Sequence, residues 1–432
     1  MKYYSTNHNT PDVDLKTAVT QGLAFDRGLF MPEHINPMPK EFFREISNMS
    51  FIELSIKVAE KFFGDDIPAK VLQEIVSDTL TFDTPLVKVE DNIYSLELFH
   101  GPTLAFKDVG ARFMARILGY FLRQEETMVH VLVATSGDTG SAVANGFLDV
   151  PGIRVHVLYP KGKVSEIQEK QFTTLGKNIT ALEIEGTFDD CQYLVKQAFM
   201  DTELKEKLTI TSANSINVAR FLPQSFYYFN AYAKLPGKDR EIIFSVPSGN
   251  FGNLTSGLIA KKMGLPVKQF IAANNINKVV YNYLLTGLFE PRASIATIAN
   301  AMDVGNPSNF ARIVDLYAED YNSIKKDIIG TTYTDDQIKE TISDVYHKLG
   351  YMLDPHGAVS YRALKEKILP EQNGIFLETA HPAKFTDTME KIIGKGNVPM
   401  PQKLREFMKG EKKSVQLSSS YEDFRNYLSH LV

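Results

Sequence analysis

The sequence predicts an α/β protein: two parallel-sheet lobes preceded by a helical N-terminal domain. Three observations lead there. From about residue 129 onward, short apolar runs alternate with longer amphipathic stretches, the pattern of βαβ units whose sheets are covered on both faces. These runs are numerous enough for two lobes. The 432-residue length also exceeds what a single hydrophobic core normally organises.

Residues 1–90 read as the mainly helical N-terminal domain. DLKTAVTQGL predicts a first helix, and Asp26-Arg27-Gly28 a turn. FIELSIKVAEKFF places Phe51, Leu54, Val58 and Phe62 at helical spacing, and AKVLQEIVSDTL predicts the next helix. The Pro-rich PEHINPMPK separates these parts. LVKVEDNIYSLELF predicts a hairpin turning at Glu90-Asp91-Asn92.

Residues 91–240 form the smaller predicted lobe. Its strands are VHVLVA, IRVHVLYP, ITALEI and LTIT, each followed by a helix, the last beginning near Asn214. Residues 241–385 form the larger lobe, with strands IIFSVP, VKQFIAA and GIFLETA and a charged helical insertion near 290–350 that includes DDQIKETISDVYHKL. Residues 386–432 read as a C-terminal helical segment, with the basic run Arg405–Lys413 on a solvated face.

Composition excludes several classes. A net charge of −5 argues against non-specific nucleic-acid binding. The single cysteine, Cys191, excludes an intrachain disulfide and fits a reducing compartment. Its setting, FDDCQYLVKQAF, predicts a buried structural thiol. The start MKYYSTNHNT is no signal peptide, and no apolar run approaches the roughly 20 residues of a membrane helix. A cytoplasmic protein is expected. The nine histidines show no pairing at metal-ligand spacing, and no GxSxG elbow appears.

Chemistry concentrates in five stretches. In LELFHGPTLAFKDVGARFMARIL, Lys107 follows a Gly101-Pro102 turn and opens a helix whose face carries Val109, Phe113, Ile117 and Tyr120. Apolar neighbours and the positive end of a helix dipole would lower the lysine pKa. A lysine so placed suits Schiff-base chemistry with a carbonyl cofactor. A lysine snorkelling from a helix end is the alternative.

SVPSGNFGNLTSG carries Gly249 and Gly252 between a strand and a helix, so that backbone N–H groups and the helix N-terminus would converge on a phosphate. It is neither a Walker loop nor a GxGxxG dinucleotide fingerprint. A purely structural turn is the alternative. LVATSGDTGSAVA offers the hydroxyls of Thr135, Ser136 and Thr139 and the close approach of Gly137 and Gly140, suited to an oxyanion. Asp138 or Thr139 would also cap the following helix. TSANSINVARF spaces Asn214, Asn217 and Arg220 three apart, so a helix start would give them a common face for an anion; a surface role is the alternative. FLETAHPAKF puts Thr379 just past a strand, where its hydroxyl would meet a buried ring nitrogen. His381 reads as a proton carrier or, before proline, as structural.

Together these stretches, taken in their order along the chain and with the leader TQGLAFDRGLFMPE, resemble the threonine synthase family of pyridoxal-phosphate enzymes, of the tryptophan synthase β-like fold. The resemblance covers most of the chain and is weakest over 310–350 and after about 400. It implies that Lys107 carries the pyridoxal 5′-phosphate and then shuttles protons. It implies that Gly249, Asn250, Phe251, Gly252 and Asn253 hold the cofactor phosphate and that Thr379 faces the pyridine nitrogen. The Thr135–Gly140 loop would face the substrate, and Asn214 and Arg220 would bind its phosphate. Many enzymes of the wider fold place an asparagine against the cofactor's phenolic oxygen where this chain has Asp138. An aspartate there repels a phenolate unless protonated or turned away.

The implied reaction takes O-phospho-L-homoserine and water to L-threonine and phosphate. Lys107 would remove the Cα and then a Cβ proton, Arg220 and the hydroxyls would stabilise the departing phosphate, and closure of the lobes would hold off water. Two alternatives remain at this stage: another lyase of the same fold, such as a hydroxy-amino-acid dehydratase or phospholyase, or a non-catalytic protein that binds phosphorylated metabolites. Neither nucleic acid nor membrane is expected as a partner.

Overall fold

The computed structural model describes residues 1–123 and 128–431. Its chain divides into two compact units, neither of them continuous in sequence. One contains residues 31–106 and 221–399, the other residues 2–30, 107–220 and 400–432. This differs from the four consecutive segments drawn from sequence. The N-terminal leader is not a body of its own: its first part belongs with one unit and the remainder with the other.

The first unit is organised on a six-stranded sheet in the order Ile328–Thr332, Gln269–Asn274, Ile242–Pro247, Asn373–Glu378, Ile93–Glu97 and Leu86–Glu90. All pairs are parallel except the final hairpin. That hairpin turns through Asp91 and Asn92, with Asn92 in the left-handed region at φ 61°. The central strands Ile242–Pro247 and Asn373–Glu378 are buried throughout, as expected for a sheet covered on both faces. Helix Phe51–Phe63 packs against helix Ser225–Lys234. It begins with a capping box, in which Ser50 Oγ accepts the Glu53 N–H while Glu53 Oε2 accepts the Ser50 N–H.

The insertion expected to be helical over 290–350 is only partly so. It holds helices Phe310–Leu316, Tyr321–Asp327 and Asp335–Leu349, but also the strand Ile328–Thr332, which pairs in parallel with Phe270 to Asn274 of the neighbouring strand. The β-branched run IIGTT is the local signal for it.

The second unit holds a five-stranded, wholly parallel sheet in the order Val415–Ser418, Ile179–Glu185, Ile153–Pro160, Val129–Ala134 and Thr209–Ser212. Helix Leu15–Gln21 packs beside Thr209–Ser212. The C-terminal segment is therefore not purely helical: Val415–Ser418 extends the sheet, flanked by helices Gln402–Met408 and Tyr421–Ser429. The run Arg405–Lys413 is not simply solvated either. Lys412 bridges Glu169 and the buried Glu183, 2.7 Å from each, at the start of that strand. Val432 lies outside the described residues.

Helix Phe188–Met200 covers this sheet and buries Cys191 among Leu132, Leu182, Leu194 and Phe424. Burial pushes the Cys191 thiol up to about 12, leaving almost no thiolate at neutral pH. The native chain should therefore resist a thiol-specific disulfide reagent, and the denatured chain should react. Rapid labelling of the folded protein would contradict this packing.

Candidate active site

The sequence motifs from Thr135 onward occupy loops at the carboxyl ends of parallel strands, where open α/β sheets bind ligands. In the first unit, Ser248 follows strand Ile242–Pro247 and Thr379 follows its parallel neighbour Asn373–Glu378. In the second, Thr135 follows Val129–Ala134 and Ala213 follows the neighbouring Thr209–Ser212.

The loop after Ile242–Pro247 turns sharply into helix Gly252–Lys262. Phe251 takes φ 64°, ψ 7°, the left-handed region, at a typical cost of about 1–2 kcal/mol for a residue with a side chain. Burial of its ring, edge-on to Phe310, holds it there. A left-handed residue followed by a helical one turns successive N–H groups toward one concavity, an anion nest. The helix has no side-chain cap and no acidic residue in its first turn. Both asparagines serve the loop itself. Asn250 Oδ1 accepts the Ser308 N–H at 2.7 Å, and Asn253 Nδ2 donates to Pro247 O at 2.8 Å. What the loop offers an anion is its backbone. Gly249 permits close packing behind it, since a Cβ there would lie 2.8 Å from Ala301 O and from Met302 Cα.

Thr379 is buried, and its carbonyl accepts the Phe106 N–H at 2.9 Å. Ala380 bridges to Ala105, and Tyr227 Oη donates to Phe106 O. The residue preceding Lys107 is thus anchored on both its N–H and C=O sides. Lys107 itself is half-buried at the first position of helix Lys107–Leu122. On that helix Val109, Phe113 and Ile117 are fully buried, while Tyr120 is only partly so.

Gly110 lies three residues on from Lys107, on the same helical face. A Cβ there would sit 2.5 Å from Arg220 O and 3.3 Å from Arg220 Nε, so the buried arginine packs against the face that carries the lysine. Arg220 Nη1 donates to Ala213 O.

The expected helix from Asn214 does not form. Asn214 and Asn217 lie in successive tight turns, and only Val218–Phe221 is helical. The side-chain amides take up carbonyls: Asn214 Nδ2 donates to Ala134 O at 3.0 Å, and Asn217 Nδ2 to Val19 O at 2.8 Å and Ser212 O at 3.2 Å. Asn217 is buried and structural, while Asn214 is tied to the end of the strand that precedes Thr135.

Within the Thr135–Gly140 loop the hydroxyls divide. Thr135 Oγ1 accepts the Gly137 and Gly140 N–H groups at 2.9 and 2.8 Å and so shapes the turn. Ser136 and Thr139 remain partly exposed. Neither Asp138 nor Thr139 caps the helix, contrary to expectation: the cap position is Gly137, at φ 139°, and Asp138 is the first helical residue. Asp138 Oδ1 accepts from Gln168 Nε2 at 2.9 Å. His381 proves to be structural. Its Nδ1 caps the Pro382–Phe385 turn, and burial lowers its pKa to about 4.

Sequence reading missed the GNPSNFAR segment. Its Ser308 holds Asn250, and its Arg312 is fully buried, 3.9 Å over the Phe221 ring. A Gly-Asn-Pro-Ser-Asn cluster inside a charged region was the available signal. Lys384, in the fifth stretch, was also passed over; it is fully buried and donates to Thr103 O at 2.9 Å.

Comparison with known proteins decides the family. Family models match residues 2–80 (threonine synthase N terminus), 78–376 (pyridoxal-phosphate dependent enzyme) and 357–428 (threonine synthase, C-terminal). The threonine synthase of Escherichia coli (strain K12) is 46% identical over 94% of each chain. The chain belongs to the threonine synthase family. The crystal structure of the E. coli threonine synthase matches all of both chains with a TM-score of 0.94, at 43% identity. A pyridoxal-phosphate-bound threonine synthase from Brucella melitensis matches with a TM-score of 0.92 at 36% identity, over 100% of this chain and 99% of its own.

The cofactor of this chain is pyridoxal 5′-phosphate, and its reaction converts O-phospho-L-homoserine and water to L-threonine and phosphate. The residues present fit that cofactor: an uncapped helix N-terminus behind a left-handed turn suits its phosphate, and a half-buried helix-start lysine suits its aldehyde. Among the described residues, no helix is long and apolar enough to cross a membrane.

Proposed function

We propose that Lys107 is the residue that holds the cofactor and moves protons, first from Cα and then from Cβ of the substrate. When bound, pyridoxal phosphate supplies the electron sink that makes those protons removable. The Gly249–Asn253 turn binds its phosphate through backbone N–H groups, with Asn250, Phe251 and Asn253 fixing the shape of the turn. Thr379 presents a neutral hydroxyl to the ring nitrogen. Asp138 lies near the cofactor, its carboxylate engaged by Gln168 and so drawn aside from a phenolic oxygen.

Arg220 and Asn214 bind the substrate phosphate, while Ser136 and Thr139 present hydroxyls to the substrate on a turn braced by Thr135. Arg220 also stabilises negative charge as phosphate departs. The observation that carries this reading is the packing of Arg220 against Gly110, on the helical face that begins with Lys107. The chemistry is that of a cytoplasmic biosynthetic enzyme with a small-molecule substrate.

Arg220→Lys tests the assignment, because a lysine keeps the charge and loses the planar fork. The expected result is a fall of roughly 10–100-fold in kcat/KM for O-phospho-L-homoserine, mostly through KM, with cofactor binding unchanged. Phosphate and threonine should still appear in equal amounts. Unaltered kinetics would remove Arg220 from the substrate site.

A further inference from the structure

Behind the phosphate turn lies a buried group of ionisable side chains that the reaction scheme does not use. Glu378 is the last residue of strand Asn373–Glu378, immediately before Thr379, and is fully buried. Asp354, also fully buried, begins helix Pro355–Lys367. Its N–H donates to Glu378 Oε1 at 2.6 Å. Asp354 Oδ1 accepts the His356 N–H at 2.7 Å and lies 2.5 Å from His356 Nδ1.

On the far side of the ring, His356 Nε2 accepts the Ala301 N–H at 3.2 Å. Ala301 and Met302 are the residues that a Cβ on Gly249 would strike. Hydrogen-bonded and packed contacts therefore run without a break from the strand end that carries Thr379 to the back of the phosphate turn.

The direction of these bonds fixes the protons. A backbone N–H can only donate, so His356 Nε2 must present a lone pair. The imidazole proton is then on Nδ1 and is given to Asp354, which must accept. The imidazole is accordingly neutral and cannot balance two carboxylates. Among the described residues, Glu378 Oε2 and Asp354 Oδ2 are buried without any hydrogen-bond donor. The other polar groups nearby do not help: Glu97 is acidic, and Tyr351 is engaged elsewhere, its hydroxyl 2.9 Å from Glu97 Oε1, which must accept, and 2.8 Å from Ser95 Oγ. Two buried carboxylates in such a place would repel each other, and a single shared proton removes the conflict. Gly357 is required beside them, because a Cβ there would fall 1.2 Å from Glu378 Oε2.

We propose that Glu378 and Asp354 share one proton and, through His356, hold the Ala301–Met302 backbone against Gly249, so that the three act as positioning residues for the cofactor-phosphate turn. Burial first, and Asp354 second, push the Glu378 carboxyl well above the usual carboxylate range, in keeping with a neutral acid there. The proposal rests on the assignment of Gly249–Asn253 to the cofactor phosphate.

The experiment titrates cofactor-free full-length protein with pyridoxal phosphate and with unphosphorylated pyridoxal, following absorbance. The parent chain should strongly prefer the phosphorylated form; an absence of preference would sink the phosphate-turn assignment rather than the relay. Glu378→Gln replaces a neutral acid by a neutral amide and should bind pyridoxal phosphate within about twofold of the parent. His356→Asn keeps a donor to Asp354 and loses the acceptor for Ala301, so its preference for the phosphorylated form should shrink roughly 10–100-fold. His356→Gln, which restores an acceptor at the Nε2 position, should recover most of it.

Phosphorus NMR of the bound cofactor should show the His356→Asn resonance shifted from the parent and the His356→Gln resonance near it. A full parental preference in folded His356→Asn, or a large loss in Glu378→Gln, would overturn the proposal. Should His356→Asn fail to fold, the His356→Gln and Glu378→Gln arms decide alone: parental binding in both supports it, and loss in either overturns it.

Discussion

Lys107→Ala should lower threonine formation by at least about a thousandfold and leave the fold intact, because in the proposed assignment one side chain both holds the cofactor and carries the protons. Removing a group with two duties is not additive, so the loss approaches the sum of the catalysis that depends on it. The fold should survive because the lysine is only half-buried and stands at the first turn of its helix. Ten residues of that helix, from Asp108 to Leu122, are buried and keep their packing. Circular dichroism should match the parent, while the visible absorption of lysine-bound cofactor should vanish. Threonine formation at the parental rate would show that another residue holds the cofactor.

Gly110→Ala should destabilise the second unit by about 1–3 kcal/mol and also impair use of the phosphorylated substrate. Two effects oppose each other. Alanine is favoured over glycine in a helix by about 1 kcal/mol. Against that, the new Cβ would lie 2.5 Å from Arg220 O. That atom is backbone, and its turn is pinned by the Asn217 amide to Val19 and Ser212, so it cannot swing aside as a flexible side chain would. The clash should win. Gly119→Ala in the same helix is the control: its nearest neighbour is a Val150 methyl at 3.2 Å, which can give way. A lower melting temperature and a higher KM are expected for Gly110→Ala alone. Parental stability and kinetics in that variant would refute the packing of Arg220 on the lysine-bearing face.

Local pattern was most legible where side chains are asymmetric. Val129–Ala134, Ile153–Pro160, helix Phe51–Phe63 and helix Phe188–Met200 follow the sequence reading residue for residue. Each strand is a β-branched apolar run, and each helix begins at a Ser or Thr whose partner lies three residues on. Two of the strands that the sequence reading missed, Ile328–Thr332 and Val415–Ser418, are sheet edges that are not fully buried. An edge strand is recruited by the open hydrogen-bonding edge beside it, and its own side chains carry little of that information. The Asn214–Arg220 helix failed for a related reason: the Asn217 amide is taken up by the carbonyls of Val19 and Ser212, and Asn214 is tied through its Nδ2 to Ala134 O, contacts distant in sequence that hold the segment in turns.

The local settings of the candidate site residues were legible because each involves near neighbours: a lysine after a Gly-Pro turn, glycines before a helix, a hydroxyl past a strand. These depend on neighbours a few residues away, and periodicity reports them. Which distant segments share a unit was not legible. Residues 2–30 join 107–220 and 400–432 through sheet edges and buried amides that no nearest-neighbour pattern encodes. The same holds for Glu378 and Asp354, an unremarkable strand end and an ordinary helix cap in the linear chain. Their fully buried juxtaposition exists only once strand and helix pack, because the protonation of a carboxyl group depends on the charges and solvent around it rather than on its place in the sequence.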